Sequence, residues 1–268
     1  MEKQKEPILA IKDLRVSFAM YGRGMNRREF EMVRQLSLTV NPGEIVAVAG
    51  ASGSGKSLLA HAVLGILPEN ATVTGTIEFC GRRLDDASLK RLRGREISFI
   101  PQSVKYLDPL MKVGRQVIGP CSRRERKERQ EKMKQVFARY QLEESAANLY
   151  PYQLSGGMAR RVLISGAVMN PAKLIVADEP TPGLQESLAR ETLQNFRELA
   201  EEGCGVLLIT HDIDLALQTA DRIAVFYDGR VLETAPAAAF RGDGEELAHP
   251  YSRAFLKALP QNEFAISE

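Results

Sequence analysis

The sequence predicts an α/β protein: a mostly parallel sheet covered by helices on both faces, an antiparallel β part at the N-terminus and a helical insertion in mid-chain. Three observations predict it. Beyond residue 158, strand-like and helix-like segments alternate, the pattern of a parallel sheet wrapped on both sides. The first forty residues instead alternate apolar and polar positions, as half-exposed strands do. Finally, 268 residues at 44% hydrophobic and 26% charged can build a sizeable core, which excludes a disordered chain.

Residues 8–18 and 33–40 read as strands. The stretch between them, 21–31, carries Gly22, Gly24, Arg23, Arg27 and Arg28 and reads as an extended hairpin loop. Asn41, Pro42 and Gly43 form a turn signal, and Ile45–Ala49 is apolar enough for a fully buried strand. A helical pattern follows over 57–67, then strand-like pieces at 76–80 and Ile97–Ile100. Residues 113–158 are polar and helix-rich. Within them the basic run 122–134 interleaves Arg and Lys with Glu125, Glu128 and Glu131, the pattern of a solvated helix face with i,i+3 and i,i+4 pairs. The alternation then runs helix 158–169, strand 173–177, helix 186–202, strand Gly205–Thr210, helix 213–220 and strand Arg222–Tyr227. This organisation gives one domain: a catalytic core over about 8–101 and 170–235, a helical subdomain over about 102–169 and a C-terminal extension over about 236–268.

Thirty-six basic residues stand against 34 acidic ones, a net charge of +2 that gives no electrostatic reason for a nucleic-acid partner. The longest apolar stretches, 45–51 and 206–209, are far short of the roughly 18–20 residues a membrane-crossing helix needs, and the first ten residues lack an apolar signal core. The expectation is a chain that neither spans a bilayer nor is secreted. Cys80, Cys121 and Cys204 are widely spaced, which argues against a disulfide framework or a zinc site.

Gly50, Ala51, Ser52, Gly53, Ser54, Gly55, Lys56 and Ser57 match G-x-x-x-x-G-K-[ST] after a buried strand and at the start of a helix, the context that motif demands. Glycines let the backbone curl so that successive N–H groups face phosphate oxygens, and the helix end at Gly55 adds its positive dipole. Lys56 reaches β- and γ-phosphates, and the Ser57 hydroxyl suits Mg²⁺. The chain is therefore read as binding a nucleoside triphosphate. Asp178 and Glu179 end a second buried strand, where side chains of a parallel sheet face the ligand crevice. Asp178 is placed to hold the Mg²⁺ shell opposite Ser57, and Glu179 to polarise the attacking water. His211 follows Gly205–Thr210 in the same way, suited to donate to a γ-phosphate oxygen. Gln102, just past Ile97–Ile100, can sense Mg²⁺ or the water. Leu154, Ser155, Gly156, Gly157 and Met158 offer a hydroxyl and bare N–H groups at a helix start, a second anion-binding surface without a lysine.

In this order and spacing the motifs resemble the ATP-binding subunit of ABC transporters over nearly the whole chain. The resemblance implies a P-loop cassette that binds ATP and Mg²⁺ (Ser57, Gln102 and Asp178 toward the metal) and forms a head-to-tail pair. Each ATP then lies between one unit's phosphate loop, residues 50–58 including Leu58, and the other's signature, residues 154–158. An aromatic upstream of the loop stacks on adenine in that family. Phe18 is the first choice and Tyr21 the second, with a core role for Phe18 equally open.

Two stretches narrow the resemblance to the oligopeptide, dipeptide and nickel importers: His249, Pro250, Tyr251 and Ser252 with the segment through Pro260, and Leu107, Asp108 and Pro109 with Val113, Gly114 and Gln116. The implied partners are a second related ATPase, two membrane permeases and, indirectly, an extracytoplasmic binding protein, with the chain peripheral on the cytoplasmic face of the membrane. Met158 stands where the family usually has Gln, and Gln185 where it has an Asp that couples the two sites. The second departure favours an unequal pair. No cysteine follows Cys204, so no iron–sulfur cluster is expected. The alternatives are a soluble ABC ATPase acting on nucleic acid or ribosomes, a generic phosphate-loop kinase, which would lack Ser155–Gly157 and His211, and a weakly active regulatory cassette.

Overall fold

The computed structural model describes residues 6–21, 27–51, 53–242 and 244–258. The centre of the expected hairpin loop (22–26), Ser52 and the tail beyond 258, including Pro260, lie outside the described residues.

In chain order the elements are β1 (Leu9–Tyr21), β2 (Arg27–Val40), β3 (Ile45–Ala49), α1 (Lys56–Leu64), β4 (Ala71–Phe79), β5 (Arg82–Arg83), α2 (Asp86–Leu92), β6 (Ile97–Ile100), α3 (Val113–Ile118), α4 (Arg126–Arg139), α5 (Gly156–Val168), β7 (Leu174–Asp178), α6 (Glu186–Glu201), β8 (Gly205–Thr210), α7 (Ile213–Thr219), β9 (Arg222–Tyr227), β10 (Arg230–Pro236) and α8 (Pro250–Lys257). Two sheets organise them. The first is antiparallel, in the order β2-β1-β4-β5, and the second runs β10-β9-β3-β8-β7-β6 with all pairs parallel except β10-β9.

Strand β3 lies inside the second sheet and is buried at every position, which is why it reads as a continuous apolar run rather than an alternating one. Its two faces serve different cores. Ile45, Ala47 and Ala49 join the layer under α5, α6 and α7, while Val46 and Val48 pack toward α1 and the antiparallel sheet. Strand β7 divides the same way, Ile175 and Ala177 against Leu174 and Val176. A third cluster, which includes Leu107, Val113, Phe137 and Val162, is built mainly from α3, α4 and α5.

Several elements depart from the sequence reading. The region read as the loop 21–31 is largely strand: β1 continues to Tyr21 and β2 begins at Arg27, with Phe18 paired to Phe30 across the ladder. Helix α1 stops at Leu64 because Gly65 takes a left-handed conformation and caps it. The helix-rich stretch 113–158 is broken into α3, α4 and two 3₁₀ turns, Glu144–Asn148 and Pro151–Gln153. Strand β4 begins at Ala71, ahead of the expected 76, and the pairs β9-β10 and β4-β5 are additions. Among the described residues no helix is long and apolar enough to cross a membrane. Cys80, Cys121 and Cys204 are free thiols.

The sheet order fixes the site. Neighbouring parallel strands β3, β8, β7 and β6 end on the same edge, so the residues that follow them, Gly50, His211, Glu179 and Gln102, are delivered side by side.

Candidate functional site

The loop after β3 is held against the sheet by a contact only glycine permits. A Cβ on Gly50 would stand 2.2 Å from the Phe226 carbonyl oxygen on β9. Gly55 begins α1 in a left-handed conformation, φ 102°, without a side-chain cap, and no acidic residue occupies the first helical turn. The N-terminal N–H groups of α1 therefore keep their positive character for an anion. Lys56 is buried, and its ammonium donates to the carbonyls of Gly50 and Ala51, both at 2.7 Å, with the Ser54 hydroxyl at 3.5 Å. Burial lowers its pKa, while the carboxylates of Glu179 and Asp178 oppose the shift.

One helical residue further, the Ser57 hydroxyl donates to Asp178 Oδ1 at 3.1 Å. Asp178 is 1% exposed. Burial pushes its carboxyl up to about 6, against the Ser57 hydrogen bond that lowers it. A buried carboxylate paired with a hydroxyl is a hard-oxygen donor set of the kind Mg²⁺ takes, and the desolvated charge on Asp178 is what a cation would relieve. These residues fit the metal the sequence implies.

Glu179, the next residue, is buried and has φ 48°, a left-handed backbone rarely adopted by a non-glycine residue. Its N–H donates to the Ile209 carbonyl on β8 at 2.9 Å. Its carboxylate accepts from His211 Nδ1 at 2.8 Å, and the His211 side chain is 55% exposed. With Nδ1 donating to Glu179, Nε2 is the nitrogen left for a ligand. A cleft of about 590 Å³ opens beside His211, lined in part by Thr181, Pro182, Gly183 and Arg190.

The structure thus gathers the phosphate loop, Ser57 with Asp178, and Glu179 with His211. Gln102 stands just past β6 on the same sheet edge, with its side chain exposed and making no hydrogen bond to these groups; its carbonyl accepts from the Arg160 guanidinium at 2.5 Å. Leu58 has its side chain half-buried against the core, and its N–H donates to the Gly55 carbonyl. Phe18 is also half-buried and packs against the same core cluster. The signature residues stand on the helical part. Ser155 is exposed at the N-terminus of α5, where its hydroxyl accepts from the Met158 N–H at 3.2 Å, and open space surrounds the position of a Gly156 Cβ. Gly157 faces the turn after β7, its Cβ position 3.5 Å from the Gly183 carbonyl oxygen.

Arg160 was not singled out from the sequence. It is 7% exposed and shares the helix stripe of buried Ile164 and Ala167, so a charge at an apolar position of the 3.6-residue period was the available signal.

Residues 33–182 match the family model described as ABC transporter. The chain is 34% identical over 280 residues to the oligopeptide transport ATP-binding protein OppD of Lactococcus lactis subsp. cremoris, spanning 97% of this chain and 78% of that protein. The chain belongs to the ABC transporter ATP-binding family. The cassette is an ATPase that binds ATP. It is also 32% identical over 272 residues to the dipeptide transport ATP-binding protein DppD of Bacillus subtilis, across 96% of this chain and 78% of the relative. Among solved structures it is similar to the ATP-binding cassette MJ0796 in a dimeric post-hydrolysis state bound to ADP and Pi, with a TM-score of 0.73 and 30% identity over 87% of this chain and 99% of that one.

Proposed function

We propose that the cassette is the ATP-hydrolysing subunit of a peptide importer, working in a head-to-tail pair beneath two membrane permeases. The observation that carries the reading is the convergence of Lys56, Ser57, Asp178, Glu179 and His211 on one sheet edge in a chain whose similar proteins are named for oligopeptide and dipeptide transport. Those names favour a peptide cargo over nickel.

The loop N–H groups and Lys56 take the phosphates, Lys56 exchanging its loop carbonyls for β- and γ-phosphate oxygens. Ser57 and Asp178, with Gln102, would hold Mg²⁺, which would supply positive charge against the phosphates. Glu179 accepts a proton from the attacking water, its position fixed by the left-handed backbone and by the hydrogen bond from His211. His211 keeps Nδ1–H on Glu179 and presents Nε2 toward the γ-phosphate, where the imidazolium, protonated on both nitrogens, donates to charge as it develops. The exposed Ser155 and Gly156 at the start of α5 face outward and complete the partner's site, and the dimeric state of the MJ0796 cassette supports that arrangement. The helical part, about residues 102–169, carries closure to the permeases.

Mild-detergent purification of the tagged chain from the membranes of its host tests the reading. Two multi-span permeases should come with it, and ATPase activity of the complex should rise with a peptide-loaded binding protein. Recovery of the chain alone from the soluble fraction, with no membrane-bound pool, overturns it.

A further inference from the structure

Arg160 is a buried cation in the second turn of α5, and its guanidinium is spent on backbone. One terminal nitrogen donates to the Pro101 carbonyl at 2.7 Å and the other to the Gln102 carbonyl at 2.5 Å. These two carbonyls belong to the segment that leaves β6 at the edge of the ATP site. Helix α5 itself packs on β6 and on the 3₁₀ turn Val104–Tyr106. The Nε of Arg160 is buried with no hydrogen-bond partner among the described residues, so the two far nitrogens are satisfied and the near one is not. An arginine held this way is an unfavourable choice for filling space: an unbranched apolar side chain such as Met would pack without an unpaired buried donor.

Four residues before Arg160 on the same helix stands Gly156, about 6 Å along the axis, with Ser155 as the N-cap. The fork therefore ties two functional pieces together: the Gln102 segment, which borders this chain's own ATP, and the signature at the start of α5, which faces outward. A helix and a loop bound by two charge-assisted hydrogen bonds with fixed fork geometry move as one body. We infer that Arg160 is a positioning residue for ATP hydrolysis, locking the 101–102 backbone to α5 so that the Gln102 segment and the Ser155–Gly157 surface shift together. The inference rests on the reading of Gln102 as part of the ATP site. Its side chain touches no reacting atom; it acts through the geometry of the loop. The positive charge also lies close enough to Asp178 and Glu179 for their carboxylates to oppose the effect of burial on its own ionisation, so charge and fork must be separated experimentally.

Three variants of the full-length chain separate them: Arg160→Met, which removes fork and charge, Arg160→Lys, which keeps the charge but cannot span both carbonyls, and Gln102→Ala. Steady-state ATPase, melting temperature and ATP affinity are measured for each, in the assembled complex if the chain alone turns over too slowly. The expected result is a kcat lowered about tenfold in Arg160→Met and several-fold in Arg160→Lys, with KM within about twofold of wild type and folded protein in both. Wild-type kcat in Arg160→Lys overturns the positioning role in favour of charge. A loss in Arg160→Met that follows only the loss of folded protein, with Arg160→Lys fully active, also overturns it. Should Arg160→Met not fold, Arg160→Lys decides alone. Gln102→Ala reports on the underlying reading: unchanged turnover there removes Gln102 from the site and overturns the inference, whereas loss of turnover there with wild-type behaviour in both Arg160 variants leaves the site standing and sinks the inference by itself.

Discussion

A single methyl group separates a working phosphate loop from a broken one at Gly50. With the Phe226 carbonyl oxygen 2.2 Å from where a Cβ would stand, the conflict is with backbone and no side chain can swing away to relieve it. Gly50→Ala should therefore lose at least about 2 kcal/mol in urea unfolding or fail to fold; a change under about 0.5 kcal/mol would show that the loop is not pinned to β9. Glu179 illustrates the opposite economy, a non-glycine residue kept at φ 48° where the backbone conflict costs on the order of 1 kcal/mol. Candidates that depend on local order were legible in the sequence: Lys56 and Ser57 lie in the glycine-rich motif after one buried strand, and Asp178 and Glu179 stand at the end of another. Arg160 was not, because its partners lie 58 and 59 residues away and only the folded chain brings them together. The Glu179–His211 pairing was missed for the same reason: both were expected at the site, but not bonded to each other.

At the scale of elements, α4 is fastened to α6 by a buried polar contact. The Tyr140 hydroxyl lies 2.7 Å from the Asn195 amide, whose orientation satisfies both partners when its nitrogen faces Tyr140 and its oxygen faces the Arg139 guanidinium, itself paired with Glu198. Tyr140→Phe leaves that amide nitrogen unpaired in the core and should lower stability by about 1–2 kcal/mol, measured by denaturant unfolding, with little change in ATP affinity. Glu233 fastens the C-terminal helix α8 in another way. Burial raises its pKa, but the neighbouring Ser252 side chain and the N–H groups of Ala248 and His249, which donate to the carboxylate at 2.6 and 3.1 Å, outweigh it and hold the carboxyl below the usual range. A depressed carboxyl adds stability that is full above its unfolded value of 4.5 and fades as pH falls through the folded one. Glu233→Gln should thus melt lower than wild type near neutral pH, and the gap should close on acidification; a gap that persists at acid pH would contradict the assignment. The parallel strands were readable because both their faces are buried and their apolar runs unbroken. Strand β4, exposed along much of its length, and the 3₁₀ turns, too short for a period, left no comparable pattern.

For the whole molecule, the parallel sheet sets one edge where four strand ends meet, and the sequence places there the phosphate loop from Gly50, with Gln102, Glu179 and His211 just past the other three. The order β3-β8-β7-β6 could not be read from the sequence; the residues that cluster there could. What the fold adds is adjacency: Ser57 on Asp178, His211 on Glu179, and the signature on a separate helix turned outward. The account predicts a molecule that closes on ATP only as a pair and opens only after hydrolysis. Glu179→Gln tests this most directly, with nucleotide binding by calorimetry, oligomeric state by light scattering and turnover measured on the same preparation. The predicted result is ATP affinity within about threefold of wild type, a dimer that persists with ATP and Mg²⁺, and turnover at least about a hundredfold lower. Turnover near wild type in that variant, or no magnesium-dependent ATP binding by well-folded protein, would contradict the account.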